Sequence, residues 1–159
     1  PICADGGIEY SGDIPIAIGA GAHSVMLGRL LAGTKEAPGE VDFQSGDRPM
    51  KYFRGMGSLA AMASSKSSRE RYRQSDGGKD HLVPEGIEAL VPYVGELGTV
   101  MDQYVGGIRR GMGYVGAATI SELRENADFY RITAAGIGES HPHGVQILRD
   151  PPNYSTRNQ

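Results

Sequence analysis

The chain has 159 residues with 24 Gly, one Cys, and 16 Lys and Arg against 19 Asp and Glu, for a formal charge of −3. That length suits one domain. The single Cys excludes a disulfide scaffold and fits a reducing compartment, the lack of any run of ~18 apolar residues excludes a membrane-spanning helix, and the acidic balance argues against nucleic acid as the main partner.

Glycine runs at about twice the soluble average of ~7%. It has no period of three, which excludes collagen, and points to tight turns or backbone that approaches a ligand closely. The chain opens on Pro1-Ile2 with no signal-peptide pattern, and is read as a processed product or a piece of something longer.

Ile2-Cys3-Ala4 reads as a short buried strand ending in the turn Asp5-Gly6-Gly7. Ser11 is positioned to cap the next helix, with Pro15 in its first turn. Ile14, Ile16, Ala17 and Ile18 supply its apolar face, and Gly19 and Gly21 end it. Ser24-Val25-Met26-Leu27 is a second strand, followed by Gly28. Ile2 to Gly28 is thus one β-α-β unit of roughly the usual ~30 residues, which implies parallel strands. Leu30-Leu31-Ala32 starts another helix.

Regularity then fails from Gly33 to about Gly98, where only Met56 to Ala63 reads as a short helix. The polar stretch Ser64 to Arg73, followed by Asp76-Gly77-Gly78, reads as a mobile flap. From Thr99 order returns. Thr99 with Asp102 resembles a capping box, and Val100, Tyr104, Ile108 and Met112 share one helical face. Thr119 with Glu122 opens a helix ending near Ala127. Phe129 to Ala134 looks extended, and the tail after Gly136 shows no period.

A lone β-α-β unit cannot bury both faces of its strands. The expected architecture is therefore the last part of a larger α/β fold, a (β/α) barrel, in which phosphate sites commonly follow the last two strands. Asp5 suits either the ribose hydroxyls of a nucleotide or a plain turn beside Gly-Gly. Gly6, Gly7 and Gly28 can offer backbone N–H groups to a phosphate. Cys3, inside an apolar strand, reads as a buried hydrophobe rather than a nucleophile. His141-Pro142-His143 lacks a third ligand at zinc spacing. Arg69, Arg71 and Arg73 form a charged loop around Tyr72, which suits solvent or the cover of a site.

The ordered series Ala4-Asp5-Gly6-Gly7-Ile8, Tyr10-Ser11-Gly12-Asp13, Val25-Met26-Leu27-Gly28, Leu31-Ala32-Gly33-Thr34, Pro38-Gly39-Glu40, Arg54-Gly55-Met56-Gly57-Ser58, Arg71-Tyr72, Leu82-Val83-Pro84-Glu85-Gly86, Gly111-Met112-Gly113-Tyr114 and Glu139-Ser140-His141-Pro142-His143 resembles the inosine monophosphate (IMP) dehydrogenase family. The resemblance implies a (β/α)8 TIM barrel that oxidises IMP to xanthosine monophosphate with NAD. A cysteine adds to C2 of the purine, hydride leaves to the nicotinamide, and water hydrolyses the adduct.

Residues 1–159 would be the C-terminal part of that barrel: the last β-α-β unit and the start of a helix (1–32), a flap insertion (33–98), and C-terminal helices with a cation loop (99–159). The family's nucleophilic cysteine and most NAD contacts lie upstream, so the chain alone is expected to be inactive. A cytoplasmic homotetramer, with no membrane or nucleic-acid partner, is the family's habit.

By the same resemblance, Asp5 would hold the ribose and Gly6, Gly7 and Gly28 the phosphate. Arg54, Gly55, Met56 and Gly57 would form the purine loop, with Glu85 on the ring. Arg71 would activate water, with Tyr72 beside it. Carbonyls of Glu139, Ser140 and His141 would bind potassium, a hard cation that suits oxygen ligands. Two departures stand out: Arg29 replaces a small residue, and Phe53 replaces a tyrosine, where the family contacts phosphate through hydroxyls. Either Arg29 supplies a charge-assisted contact in their place, or it faces solvent and backbone amides hold the phosphate alone. The alternatives to the dehydrogenase are a non-catalytic purine-nucleotide-binding barrel fragment and the related GMP reductase. The Arg71-Tyr72 pair and the Glu139–His143 loop favour the dehydrogenase.

Overall fold

The computed structural model describes residues 1–44, 48–72 and 82–148. Two compact units emerge, one of Pro1–Leu27 with Met101–Gln159 and one of Gly28–Val100. Arg73 and Asp76-Gly77-Gly78 of the expected flap lie outside the described residues.

In the first unit, β1 (Cys3–Asp5) and β2 (Ser24–Met26) pair in parallel, Ala4 opposite Val25 and Asp5 opposite Met26. They are joined by α1 (Asp13–Gly19), the crossover that the apolar runs and glycine turns imply. Ser11 is buried and is not the cap of α1; Gly12 holds that position, with no side-chain cap. Asp13 takes over locally. Its Oδ2 accepts from the amides of Glu9 and Tyr10 at 2.9 and 2.8 Å. A carboxylate is a stronger acceptor than a hydroxyl, which favours Asp13 over Ser11 in that role. Ile14 and Ile18, four apart, are buried, whereas Ile16 is 57% exposed. Helical spacing puts Ile16 on the other side of α1.

Cys3 is exposed, contrary to the buried strand expected. The sheet has two strands and α1 packs on β2, so only Ala4 and Val25, level with each other, are half covered.

The helix α5 (Leu97–Tyr114) starts two residues before Thr99, so Thr99 does not open it. Its first amide, Leu97 N–H, instead donates to the carboxylate of Glu36 at 2.8 Å. An orphan donor at a helix start is thus satisfied by an acceptor distant in sequence. Gly107 and Gly111, one turn apart, admit Ser11 and Pro15. A Cβ on either glycine would lie 2.6–2.8 Å from those residues. α6 (Ile120–Asn126) begins with the first half of a capping box, while the returning carboxylate reaches the residue before the cap. Thr119 Oγ1 accepts from Glu122 N–H at 3.2 Å, and the Glu122 carboxylate accepts from Ala118 N–H. Leu123 is buried as α6 packs on α1, and Arg124 donates to the carbonyl of Ala22 at 2.8 Å. The stretch before Ala134 forms no strand, and the tail holds a further helix, α7 (Ala134–Ser140), capped by Thr133 Oγ1.

The second unit is more regular than its composition suggests. α2 (Arg29–Ala32) is followed by β3 (Val41–Asp42), β4 (Met50–Arg54), α3 (Leu59–Ser64), α4 (Lys66–Arg71) and β5 (Glu88–Pro92). The strands form an antiparallel sheet in the order β3-β4-β5, with Lys51 opposite Val91 and Arg54 opposite Glu88. Ser58 and Ser65 cap α3 and α4 by accepting from Ala61 and Ser68 amides, so the polar stretch read as flap is helical through Arg71.

The segment after α2 is stitched to the residues before α5. Val94 N–H donates to Gly33 at 2.9 Å, Lys35 N–H donates to Gly95 at 2.7 Å, and the Lys35 ammonium meets Glu96 at 3.3 Å. That hydrogen bond with Glu96 raises the Lys35 pKa above its ordinary value. A Cβ at Gly33 would overlap the carbonyl oxygen of Pro92. Gly33→Ala is expected to destabilise the complete protein by about 1–3 kcal/mol, since backbone rather than a pliant side chain must move. Chemical denaturation compared with a Gly98→Ala control, where a Cβ meets nothing within 4 Å, checks this.

Candidate functional site

At the C-terminal end of β1, Asp5 is exposed and followed by Gly6 and Gly7 at φ 88° and 75°. Consecutive left-handed residues are open to glycine and strained for other residues. No atom would crowd a Cβ at either glycine, so backbone geometry rather than lack of room selects the residue. The result is an exposed turn whose N–H groups suit an anion. β2 ends level with β1, and Gly28 and Arg29, both exposed, follow it by two and three residues.

Within the second unit, three segments named from sequence come together. β4 runs through half-buried Phe53 and exposed Arg54 into Gly55-Met56-Gly57. Gly55 N–H donates to Ile87 at 2.9 Å, and the carbonyl of Gly57 accepts from the amides of both Glu85 and Gly86 at 3.0 Å. The Tyr72 ring lies on the other side of Gly57, where a Cβ would stand 2.8 Å from Cζ. Met56, 51% exposed, and the exposed Glu85 are thus held on a clasped loop with their side chains open to a ligand. Arg71 is exposed in the last turn of α4, next to Tyr72. The Arg54 guanidinium reaches back to the carbonyl of Ala60, and its cross-strand partner Glu88 accepts from Ala60 N–H at 3.0 Å, so Arg54 and Glu88 hold the start of α3.

Glu139, Ser140 and His141 close α7. His141 has an extended backbone, and its amide donates to Gly138. The last carbonyls of a helix lie beyond the reach of an intrahelical amide and carry its partial negative charge, which suits a cation held by backbone oxygen. Glu139 also meets His143 at 3.5 Å. Among the described residues no three His, Cys, Asp or Glu side chains come together as a group that could hold a metal ion. Nor is any helix among them long and apolar enough to cross a membrane.

Sequence reasoning missed Lys51, which is buried at 1% exposure, and Glu36 and Glu88, which anchor helix starts. No pattern in Met50–Arg54 signals the buried lysine: strand geometry puts Lys51 on the face of Phe53 and leaves Tyr52 outside, against the polarity of the side chains.

The pattern of the IMP dehydrogenase / GMP reductase domain matches residues 1–143. The chain is 59% identical over 155 residues to inosine-5'-monophosphate dehydrogenase of Halalkalibacterium halodurans, and 61% identical over 154 residues to that of Aquifex aeolicus. It covers 98% and 97% of itself in these alignments, but spans about a third of each relative, 31% of its length. A crystal structure of GMP reductase from Trypanosoma brucei in complex with guanosine 5'-monophosphate superposes at a TM-score of 0.77 with 47% identity, over 92% of this chain and 28% of that one.

Proposed function

Since the chain belongs to the IMP dehydrogenase / GMP reductase family, we propose that it is the C-terminal part of a (β/α)8 barrel that oxidises IMP to xanthosine monophosphate. The single observation that carries the reading is the meeting of Met56-Gly57, Tyr72 and Glu85, from three separate stretches of sequence, around one backbone clasp. The exposed apolar residues of the first unit's sheet, Ile2 at 66% and Met26 at 55%, support further barrel strands beside β1 and β2. Parallel strands are ordinarily covered on both faces. In this reading residues 1–32 form the last β-α-β unit and the start of a helix, 33–98 the flap insertion and 99–159 the C-terminal helices and cation loop.

The Asp5 carboxylate accepts from the ribose hydroxyls. Gly6, Gly7 and Gly28 turn their N–H groups to the phosphate, and Arg29 adds charge. Phe53 and Arg54 lead into the purine loop, where Gly55, Met56 and Gly57 meet the base and Glu85 accepts from its ring N–H. Bound NAD would supply the hydride acceptor for the oxidation, most of its contacts lying upstream of this chain. The Arg71–Tyr72 pair brings water to C2 of the covalent adduct, where its addition breaks the bond to the upstream cysteine, returns the thiol and releases xanthosine monophosphate. Carbonyls of Glu139, Ser140 and His141 hold potassium. A homotetramer in the cytoplasm completes the proposal.

A second reading, reduction of GMP, has one observation behind it: the fit to the GMP reductase structure. One assay separates the two. The complete gene product is given IMP, NAD and potassium, and NADH absorbance is followed. NADH that depends on IMP and falls when sodium or lithium replaces potassium supports the dehydrogenase and its cation site. Consumption of reduced nicotinamide with GMP, and none formed with IMP, supports the reductase. Binding of IMP with neither reaction supports a non-catalytic nucleotide-binding barrel.

A further inference from the structure

Lys51 is the second residue of β4 and is 1% exposed. A buried ammonium is costly unless each of its donors is taken. Here Nζ donates to the carbonyls of Thr34 and Ala37, and to that of Lys35 at 3.2 Å. Three carbonyls match the three N–H bonds of an ammonium, whereas a neutral amine brings two donors. None of these partners is a carboxylate, so the contact is that of a cation in a nest of backbone oxygen.

The nest is the turn that follows α2. Thr34, itself 2% exposed, ties back to that helix by donating to the carbonyl of Leu31 at 2.8 Å. α2 packs on β4, and β4 leads from Lys51 directly into Arg54 and the purine loop. One side chain therefore fastens the segment that begins at Gly28-Arg29 to the strand that ends at Arg54.

We propose that Lys51 is a positioning residue: its ammonium, seated in the Thr34–Ala37 carbonyls, fixes the spacing between the phosphate end and the base end of the nucleotide site. This rests on the IMP-binding reading above. A nucleotide that must reach both ends at once senses any drift between them as lost affinity, while the reacting groups at the base stay in place.

The test uses the complete protein and the IMP-dependent assay. Lys51→Met fills the space but leaves three carbonyls without donors. It is expected to raise KM for IMP about tenfold, the scale of one lost buried hydrogen bond, with kcat reduced less than about threefold. In Lys51→Ala, propylammonium chloride is expected to restore KM, whereas propanol at equal concentration does not; wild type receives the same additions as a control. A wild-type KM in Lys51→Met, whatever its melting temperature, overturns the proposal, as does equal rescue by propanol. If Lys51→Met does not fold, Lys51→Arg decides. It keeps the charge and moves the donors, so a raised KM supports the proposal and a wild-type KM overturns it. Hydrogen exchange at the amides of residues 34–37, faster in the variant than in wild type, reads the fastening without turnover. A wild type that makes no NADH therefore counts against the functional reading alone.

Discussion

Replacing Arg71 with Ala is expected to leave the first turnover of NADH close to its normal rate. The steady state that follows should slow by about 10²–10⁴-fold, the usual scale of a lost acid–base group. The asymmetry follows from the order of the chemistry. In the proposed reaction hydride leaves the purine before water attacks, so a group that serves only the water step is silent until the covalent adduct accumulates. Stopped-flow absorbance with IMP and NAD in excess shows the pattern as a burst of about one NADH per site, then a slow phase. Equal loss in both phases would falsify the hydrolytic role.

The physics of Arg71 makes the test worth doing. A guanidinium holds its proton to above pH ~12. Arg71 stands exposed in the last turn of α4. To accept a proton it needs a desolvated setting around bound substrate that opposes its charge. If it acts instead as a fixed cation that orients water, Arg71→Lys should keep a substantial part of the steady-state rate. A base role predicts that Lys restores hydrolysis only as pH rises toward the amine's own pKa of ~10.4.

The second large effect concerns Gly57. Its carbonyl accepts from two amides, of Glu85 and Gly86, while the Tyr72 ring covers its α-carbon. In Gly57→Ala the new methyl would stand 2.8 Å from Tyr72 Cζ and 3.0 Å from Cε1. The clasp fixes the backbone, so the ring must give way. Overpacking of this kind costs about 1–3 kcal/mol. Here that strain is expected to fall on the active arrangement and lower kcat/KM by roughly ten- to a hundredfold. A double-mutant cycle with Tyr72→Ala identifies the cause. Once the ring is gone, Gly57→Ala should cost little more, a non-additive result. Full additivity would place the damage in the loop itself and detach Tyr72 from Gly57.

The β-α-β unit was legible because its signals are local. Two apolar triplets, a helix with Ile14 and Ile18 four apart, and glycines forced to positive φ at the strand end all act within a few residues. Thr119 and Glu122 were readable for the same reason. The antiparallel sheet was not, because β3 has two residues and β4 buries a lysine while exposing a tyrosine, the reverse of the usual alternation. Only the carbonyls of Thr34, Lys35 and Ala37, well upstream, explain that reversal, and no periodicity reports them. The capping of α5 failed similarly, since Glu36 satisfies a helix start that Thr99 was expected to serve. Cys3 was misread because a strand of apolar type was credited with neighbours that the described residues do not provide. The purine loop, Tyr72 and Glu85 were named through motif resemblance, whereas their meeting is a property of the fold.

The bonds that join Gly33 to Val94 and Lys35 to Gly95 mean that the chain leaves and returns through one narrow doorway. The antiparallel sheet and the helices α3 and α4 are all threaded between those two thresholds, yet the backbone on either side is separated by a single hydrogen bond. A segment that begins and ends at the same point tolerates added length at its exposed turns, provided the doorway and the stretches that carry Lys51, Arg54–Gly57, Arg71-Tyr72 and Glu85 are kept. Length can thus vary at those outer turns while the two backbone bonds of the doorway stay as they are.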